Sequence, residues 1–350
     1  MTVKLFDKAM VALVGAAVVS ASAGGMASAQ ETLESLKAKV EGKSFSVAFG
    51  APPNLLEVHS VMVVDILKEE FGVDASYQAV PADVSAAAVV SGSVNAGEVS
   101  LGRIAGLKQG GADVVIFASN DYINDFVIMA KAPVTTMAEL KGKVYGDSGS
   151  AGIGRVLRDA CFGDSGITTD DVQLVELGSS GATAQALGTP QLDAGLVHAD
   201  SAASLQAKFP DTYNVLCYAY EKVSAANDVW YSTRSWLDAN PDMALALTVA
   251  SMMATRKLYE DEAAWLETAN AYVPDLLPGV AEATYQLYAK QIGLWDADGA
   301  IDMADCEANI QILVDLDILP EAIACTDFVT EEYQTEALAI LGPYTMPATN

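Results

Sequence analysis

"GKSFSVAFG" at residues 42–50, followed by "VNAGEV" at 94–99, returns about one hundred residues later as "GKVYGDSG" at 142–149, followed by "LDAGLV" at 192–197. Each copy reads strand, short polar loop, helix, strand, polar loop, helix, strand. Short apolar runs between Gly turns mark the strands, and the period of 3.6 marks the helices. Two βαβαβ units predict an α/β protein of two similar lobes. Ligands of open α/β sheets sit outside the carboxyl ends of the strands. Two such ends facing each other make a cleft, so the pattern points to binding and closure around a ligand.

Working outward, residues 44–50 form the first strand and Ala51-Pro52-Pro53 ends it. Asn54, with Glu57 three residues on, makes a capping box for a helix running to about Phe71. Strands follow at 75–80, 96–100 and 112–119, with a helix at 84–91. Residues 119–125 carry no periodicity and read as the first crossing between lobes. The second lobe takes strands at 126–130, 143–148, 172–177 and 194–197, and a helix at 152–160. The chain returns near 223–228, "VWYSTRSWL" at 229–237 adds a strand to the first lobe, and from Asn240 the pattern is helical. Pro241 stands at a helix start. The expected division is 30–120 plus 226–350 for the first lobe with its C-terminal helices, and 125–223 for the second.

Residues 1–29 read as a signal peptide. Lys4 and Lys8 form a basic start, residues 11–23 are small and apolar, and Ala27-Ser28-Ala29 fits a cleavage site. No Cys follows the cut and no twin Arg precedes the apolar run, so Sec-type export to the periplasm is expected. The formal net charge of −27 excludes nucleic acid and anionic membrane surfaces as partners. A solvated acidic surface explains that charge, and attraction of a cationic ligand is its sharper reading. Cys161, Cys217, Cys306 and Cys325 are even in number in an exported chain, which suggests disulfides. Three pairings are open; Cys161–Cys217 and Cys306–Cys325 each stay within one region and are favoured.

The repeats place equivalent loops around one cleft: 51–54, 81–85 and 100–103 from the first lobe, 147–152, 178–183 and 198–201 from the second. Several are rich in Gly and hydroxyls and precede helices, whose first N–H groups are unpaired. Ser148, Ser150, Ser179, Ser180 and Thr183 suit a carboxylate, sulfonate or phosphate there, although Ser and Thr also serve simply as caps. Arg103 follows the third strand and can grip an anion with two bonds, or form a surface ion pair. His198 ends a strand at the position equivalent to Ser100 and faces the cleft. His59 lies within the first helix and reads as packed or surface; Arg155 and Arg158 read as solvated.

No metal site is expected, since neither His has a partner at ligand spacing, and no cofactor is expected. "GDSG" occurs at 146–149 and 163–166. It belongs to the nucleophile signature of all-β serine proteases, which an α/β chain does not fit. "GxSxG" is absent, which disfavours an α/β-hydrolase.

The run "MAELKGKVYGDSGSAGIGRVLRD" at 137–159 resembles the segment opening the second lobe of bacterial ABC-transporter solute-binding proteins of the NMT1/THI5-like group. "AAAVVSGSVNAGEVSLG" and "LDAGLVHAD" are similar to that group's "ALASGQVDAGVVG"-type segments. The resemblance implies a type II periplasmic binding fold, two lobes on a two-segment hinge, no catalysis, and delivery of a small solute to an inner-membrane permease by a monomer. It places ligand contacts on the strand-end loops, here Asn54, Ser100, Ser148, Ser150 and His198. Pyrimidine-precursor binders of the group carry "PNxNH", whereas Pro53-Asn54 is followed here by Leu55, Leu56 and Glu57. A carboxylate or sulfonate is the expected solute; an exported enzyme on the same lobes and a ligand-sensing subunit are the alternatives.

Overall fold

The computed structural model describes residues 31–121, 123–147, 153–223, 228–315 and 317–345. The expected signal peptide, Ser148, Ser150 and most of the return crossing at 223–228 lie outside the described residues. The first lobe runs α1 (Leu33–Val40), β1 (Ser44–Phe49), α2 (Val58–Glu69), β2 (Asp74–Ala79), α3 (Ala82–Val90), β3 (Ala96–Ser100), α4 (Leu101–Gln109) and β4 (Val114–Ser119). The second runs β5 (Phe126–Lys131), β6 (Val144–Asp147), α5 (Ile153–Gly163), β7 (Gln173–Glu176), α6 (Ser180–Leu187), β8 (Ala194–His198), α7 (Ala199–Lys208) and β9 (Tyr213–Tyr218). Then come β10 (Asp228–Thr233), α8 (Arg234–Ala239), α9 (Pro241–Glu260), α10 (Glu262–Tyr272), α11 (Val280–Tyr285), α12 (Met303–Asp315) and α13 (Glu332–Leu341).

The strands form two five-stranded sheets, ordered β2-β1-β3-β10-β4 and β7-β6-β8-β5-β9. In each, one strand delivered by a crossing of the chain lies antiparallel between its neighbours: β10 between β3 and β4, β5 between β8 and β9. The other observed pairs, β1 with β2 and β3 and β6 with β7 and β8, are parallel. The two lobes therefore share one topology, as the sequence repeat requires.

The repeat has a physical cause at two positions. Gly42 and Gly142 hold φ of +72° and +75° at the turns entering β1 and β6, a region where a side chain would be strained. Asn95 and Asp193 open the "NAG" and "DAG" steps. The Asn95 carbonyl accepts the Ser46 N–H at 2.8 Å, and the Asp193 carboxylate accepts the Val144 N–H at 2.9 Å. In both copies the same residue's own N–H returns a bond to that strand, at 2.9 Å. Each acidic or amide side chain thus fixes the start of the neighbouring strand.

α2 is apolar on nearly every face because it lies between β2 and the helices α9 and α10. β4 is an edge strand, yet it is buried along its length. Its edge is covered by the segment at Phe328–Thr330, which exchanges backbone bonds with Ile116 at 2.8 and 2.9 Å. The Cys306–Cys325 disulfide ties that segment to α12, which packs on α4. Cys161–Cys217 joins α5 to β9. These are the pairs favoured from the sequence. α11 reaches across to α7 of the second lobe.

Several expectations need correction. "VWYSTRSWL" is a strand only to Thr233, whose hydroxyl accepts the Trp236 N–H at 3.2 Å and starts α8. The helix expected from Asn54 begins at Val58. Asn54 Oδ1 accepts the N–H groups of Leu56 and Glu57 at 2.8 and 3.1 Å, so only half of the capping box forms. Arg158 is not solvated: it is buried, ion-paired with Asp147 at the end of β6 and with Asp159. His59, read as packed or surface, is packed: it is fully buried, with Nε2 2.8 Å from Thr255 Oγ1, and burial lowers its pKa to about 4, so the ring is neutral.

Candidate ligand-binding cleft

The strand ends of the two lobes enclose a cleft of about 1310 Å³. Five of the six loops picked out by the repeat contribute to it. Asn54, Asp83, Ser100 and Arg103 line it from the first lobe; Ser179, Ser180, His198 and Asp200 line it from the second. Asp228 lines it where the chain returns. The sixth loop carries Ser148 and Ser150, outside the described residues.

Four helices begin at this cleft. Pro81 precedes α3, and Ser100, Ser179 and His198 are the N-cap residues of α4, α6 and α7. Their first N–H groups point outward with a partial positive charge. Ser179 Oγ accepts the Ala182 N–H at 3.1 Å, while the Ser100 and His198 side chains make no capping bond. Ser180 is the first residue of α6. Asn54 Nδ2 donates to the Pro52 carbonyl at 3.0 Å, which stiffens the loop entering α2.

Each cation at the cleft already has an acid. Arg103 is ion-paired with Asp83 on the wall of its own lobe. His198 Nδ1 lies 2.7 Å from Asp125 Oδ1, and the Tyr288 hydroxyl donates to Asp125 Oδ2 at 2.5 Å. Burial opposes the charged ring, but the Asp125 carboxylate outweighs it and lifts His198 to about 9. Burial likewise opposes the Asp125 carboxylate, and His198 and Tyr288 hold it below its ordinary range. The Phe126 ring packs against the imidazole at 4.1 Å between centroids.

Acidic groups form the rest of the floor. Glu57, 2% exposed, lines the cleft, and its carboxyl pairs with that of Glu98. Glu98 and Asp121 are buried near it. Burial pushes all three carboxyls well above the ordinary range, and their mutual repulsion, with that of Asp228, adds to the effect. Asp228 is pushed up to about 6 by burial, against the pull of His198. Burial also raises Asp200, whose Oδ2 accepts the Leu55 N–H at 3.2 Å, a bond from one lobe to the other.

Sequence reasoning did not single out Glu57, Asp200 or Asp228 as cleft acids, because 46 acidic residues hide any one of them. Glu98 had a signal: it interrupts an otherwise apolar strand, "AGEVS". Among the described residues no group of His, Cys, Asp and Glu is placed to hold a metal ion, and no helix is long and apolar enough to cross a membrane.

The model of the family described as "NMT1/THI5 like" matches residues 68–264. No curated protein matches this sequence. Among solved structures, the alkanesulfonate-binding protein SsuA from Xanthomonas axonopodis pv. citri, bound to MOPS, is similar at 17% identity and a TM-score of 0.63. The likeness covers 83% of this chain and 99% of that one. The zinc-bound ligand-binding component of an ABC-type import system from Staphylococcus aureus is similar at 14% identity and a TM-score of 0.69, over 84% of this chain and 99% of that one. The desulfurization enzyme DSZB is similar at 15% identity and a TM-score of 0.63, over 85% of this chain and 99% of that one. These likenesses share the two-lobed fold of periplasmic binding proteins.

Proposed function

This chain belongs to the NMT1/THI5-like family, and from that premise we propose that it is the exported solute-binding protein of an ABC importer, closing on a small organic solute and handing it to a membrane permease. One observation carries the reading: two lobes of one topology set four helix starts around a single cleft and are joined by short crossings. That is the geometry of hinge closure on a ligand.

The acidic group expected of the solute, a carboxylate or sulfonate, is supported by the starts of α4, α6 and α7 and by the imidazolium of His198. Backbone N–H groups anchor it together with Arg103, whose pair with Asp83 is exposed and can yield to the solute, while His198 keeps its buried partner Asp125. Ser100, Ser179, Ser180 and His198 are the side chains assigned to it, with Asn54 shaping the opposite wall. Ser148 and Ser150 belong to the same assignment. Sec-type export and a monomeric state complete the proposal.

DSZB is an enzyme of the same fold, and the His198–Asp125 pair gives catalysis a specific observation to stand on. The charge of His198 speaks against it, since an imidazolium at neutral pH has no lone pair to act as a base. A thermal-shift panel of carboxylates, sulfonates, amines and pyrimidines tests the binding reading. A solute at one hundred times its Kd adds about 2.7 kcal/mol, which moves Tm by several degrees. Turnover of any hit into a new product would favour the enzyme instead.

A further inference from the structure

We propose that Asp125 and Tyr288 are positioning residues of the cleft: they hold the His198 ring so that its Nδ1–H is committed to Asp125 and its Nε2–H is presented to an acidic solute. This deepens the solute-binding reading and rests on it. The three residues come from distant parts of the chain. Asp125 lies in the first crossing, just before β5, and is 1% exposed. His198 ends β8, where the register of β5 sets it opposite Phe126, and the Ala199 N–H donates to the Asp125 carbonyl at 3.1 Å. Tyr288 is fully buried on the helical turn Gln286–Ile292 after α11, with Trp295 packed edge-on at 5.6 Å between centroids. Both Asp125 oxygens are taken: Oδ1 is 2.7 Å from His198 Nδ1, and Oδ2 accepts the Tyr288 hydroxyl at 2.5 Å. The carboxylate therefore has a fixed orientation, and so does the ring it holds. Phe126 packs against that ring.

The order of these bonds decides what the cleft meets. Nδ1 points at the buried carboxylate, whereas the ring lines the cleft, is 26% exposed, and has no acceptor for Nε2 among the described residues. A proton on Nδ1 is bonded to an anion, so the proton that His198 gives up first is the one on Nε2. Deprotonation then turns Nε2 from a charged donor into a lone pair. An acidic solute would lose a bond and meet a repulsion in one step. The titratable groups facing the ring are Asp125, Asp200 on α7 and Asp228 at the chain's return, all acids, and Asp121 faces Asp125 from the same crossing. Burial works against the charged ring. Asp125 outweighs it, with smaller help from Asp200 and Asp228, and the ring stays charged up to about pH 9. Asp125 sets the charge of His198, and Tyr288 sets the place of Asp125. A purely structural ion pair needs neither a ring edge open to the cleft nor an Nε2 left without an acceptor.

The test joins NMR of the full chain, carrying isotope-labelled histidine, to calorimetry with two acidic probes, propane-1-sulfonate and butanoate. The chain has two histidines, and His59, held to about 4 by burial, stays neutral above pH 6 and serves as the reference. His198 should titrate near pH 9 with Nδ1–H as the surviving proton, and at least one probe should bind about fivefold more weakly at pH 10 than at pH 7. His198→Gln should bind that probe weakly and equally at both pH values. Asp125→Asn should bring the His198 midpoint below pH 7 and flatten binding between pH 7 and pH 10 in the same way. Tyr288→Phe should keep the midpoint above pH 7 yet weaken the probe severalfold at pH 7, which separates position from charge. A surviving proton on Nε2, a His198 midpoint near the ordinary value of about 6.5, binding unchanged from pH 7 to pH 10, or a pH dependence that His198→Gln retains overturns the proposal. Unchanged binding in Tyr288→Phe overturns the role of Tyr288. Silence of both probes overturns the proposal too and leaves the binding protein standing. Failure of the whole thermal-shift panel is what overturns the solute-binding reading beneath it.

Discussion

At neutral pH the His198 imidazolium, the Asp125 carboxylate and the Tyr288 hydroxyl form a chain from the second lobe, through the first crossing, to the C-terminal helical region. His198 is raised to about 9 in the fold, from about 6.5 when unfolded. A group raised on folding contributes fully below its unfolded pKa and loses that contribution as pH climbs through the folded one. Asp125 is depressed, so its share is lost only as pH falls through its folded value. His198→Gln should therefore cost about 2 kcal/mol near pH 6, less than a fully buried pair because the ring is about a quarter exposed. The cost should shrink from pH 7 upward and vanish by about pH 10. Urea unfolding across that range checks it, and a difference that stays constant with pH would contradict it. Arg103 poses a separate question. Its pair with Asp83 is exposed and worth little, so the guanidinium can turn to an acidic solute. Arg103→Ala should weaken an acidic probe by roughly 1.5–3 kcal/mol. Lys43→Ala, which removes one exposed charge, should do almost nothing. Equal losses that disappear in salt would mean a long-range field and no contact. Arg158 cannot serve as that control, since its removal strips a buried ion pair from Asp147.

The elements legible in the sequence were those with a local cause. β1, β3 and β8 are short runs bounded by turns, α9 has Pro241 at its first position, and the paired Gly and Asx residues repeat at equal spacing. The elements that escaped lack such a cause. α4 carries Gly102 and Gly106, which lower helix propensity; Gly102 is there because α12 packs against it, with Leu313 Cδ1 2.8 Å from where a Cβ would stand. α7 is rich in Ala and Ser and shows no apolar stripe, since one face meets α11 from a distant part of the chain. β9 is set by pairing with β5, across more than eighty residues. The site divides in the same way. Loops at strand ends could be read from the repeat, but the partners of Arg103 and His198 could not, because each lies on a different element. The edge cover of β4 shows what a tertiary link does for an element. Replacing Cys306 and Cys325 by Ser opens a loop of 19 residues and should cost about 3 kcal/mol. Amide exchange should then rise first at Ile116 and Thr330. Unchanged protection there would show that the cover holds without the disulfide.

Across the whole molecule, the net charge of −27 sets a repulsive background for any anion arriving from solution. For the acidic solute proposed above, helix starts and the His198 imidazolium would have to overcome that field locally. In the proposed closure the lobes would move as units, and the Leu55–Asp200 bond is a contact that links them directly. Small-angle X-ray scattering of the protein, with and without the strongest hit from the thermal-shift panel, at one pH and salt, tests the central claim most directly. The account predicts a radius of gyration that falls saturably with solute, along the same isotherm as the thermal shift. A solute that binds in the cleft while the radius stays fixed, or a panel in which nothing binds, would contradict it.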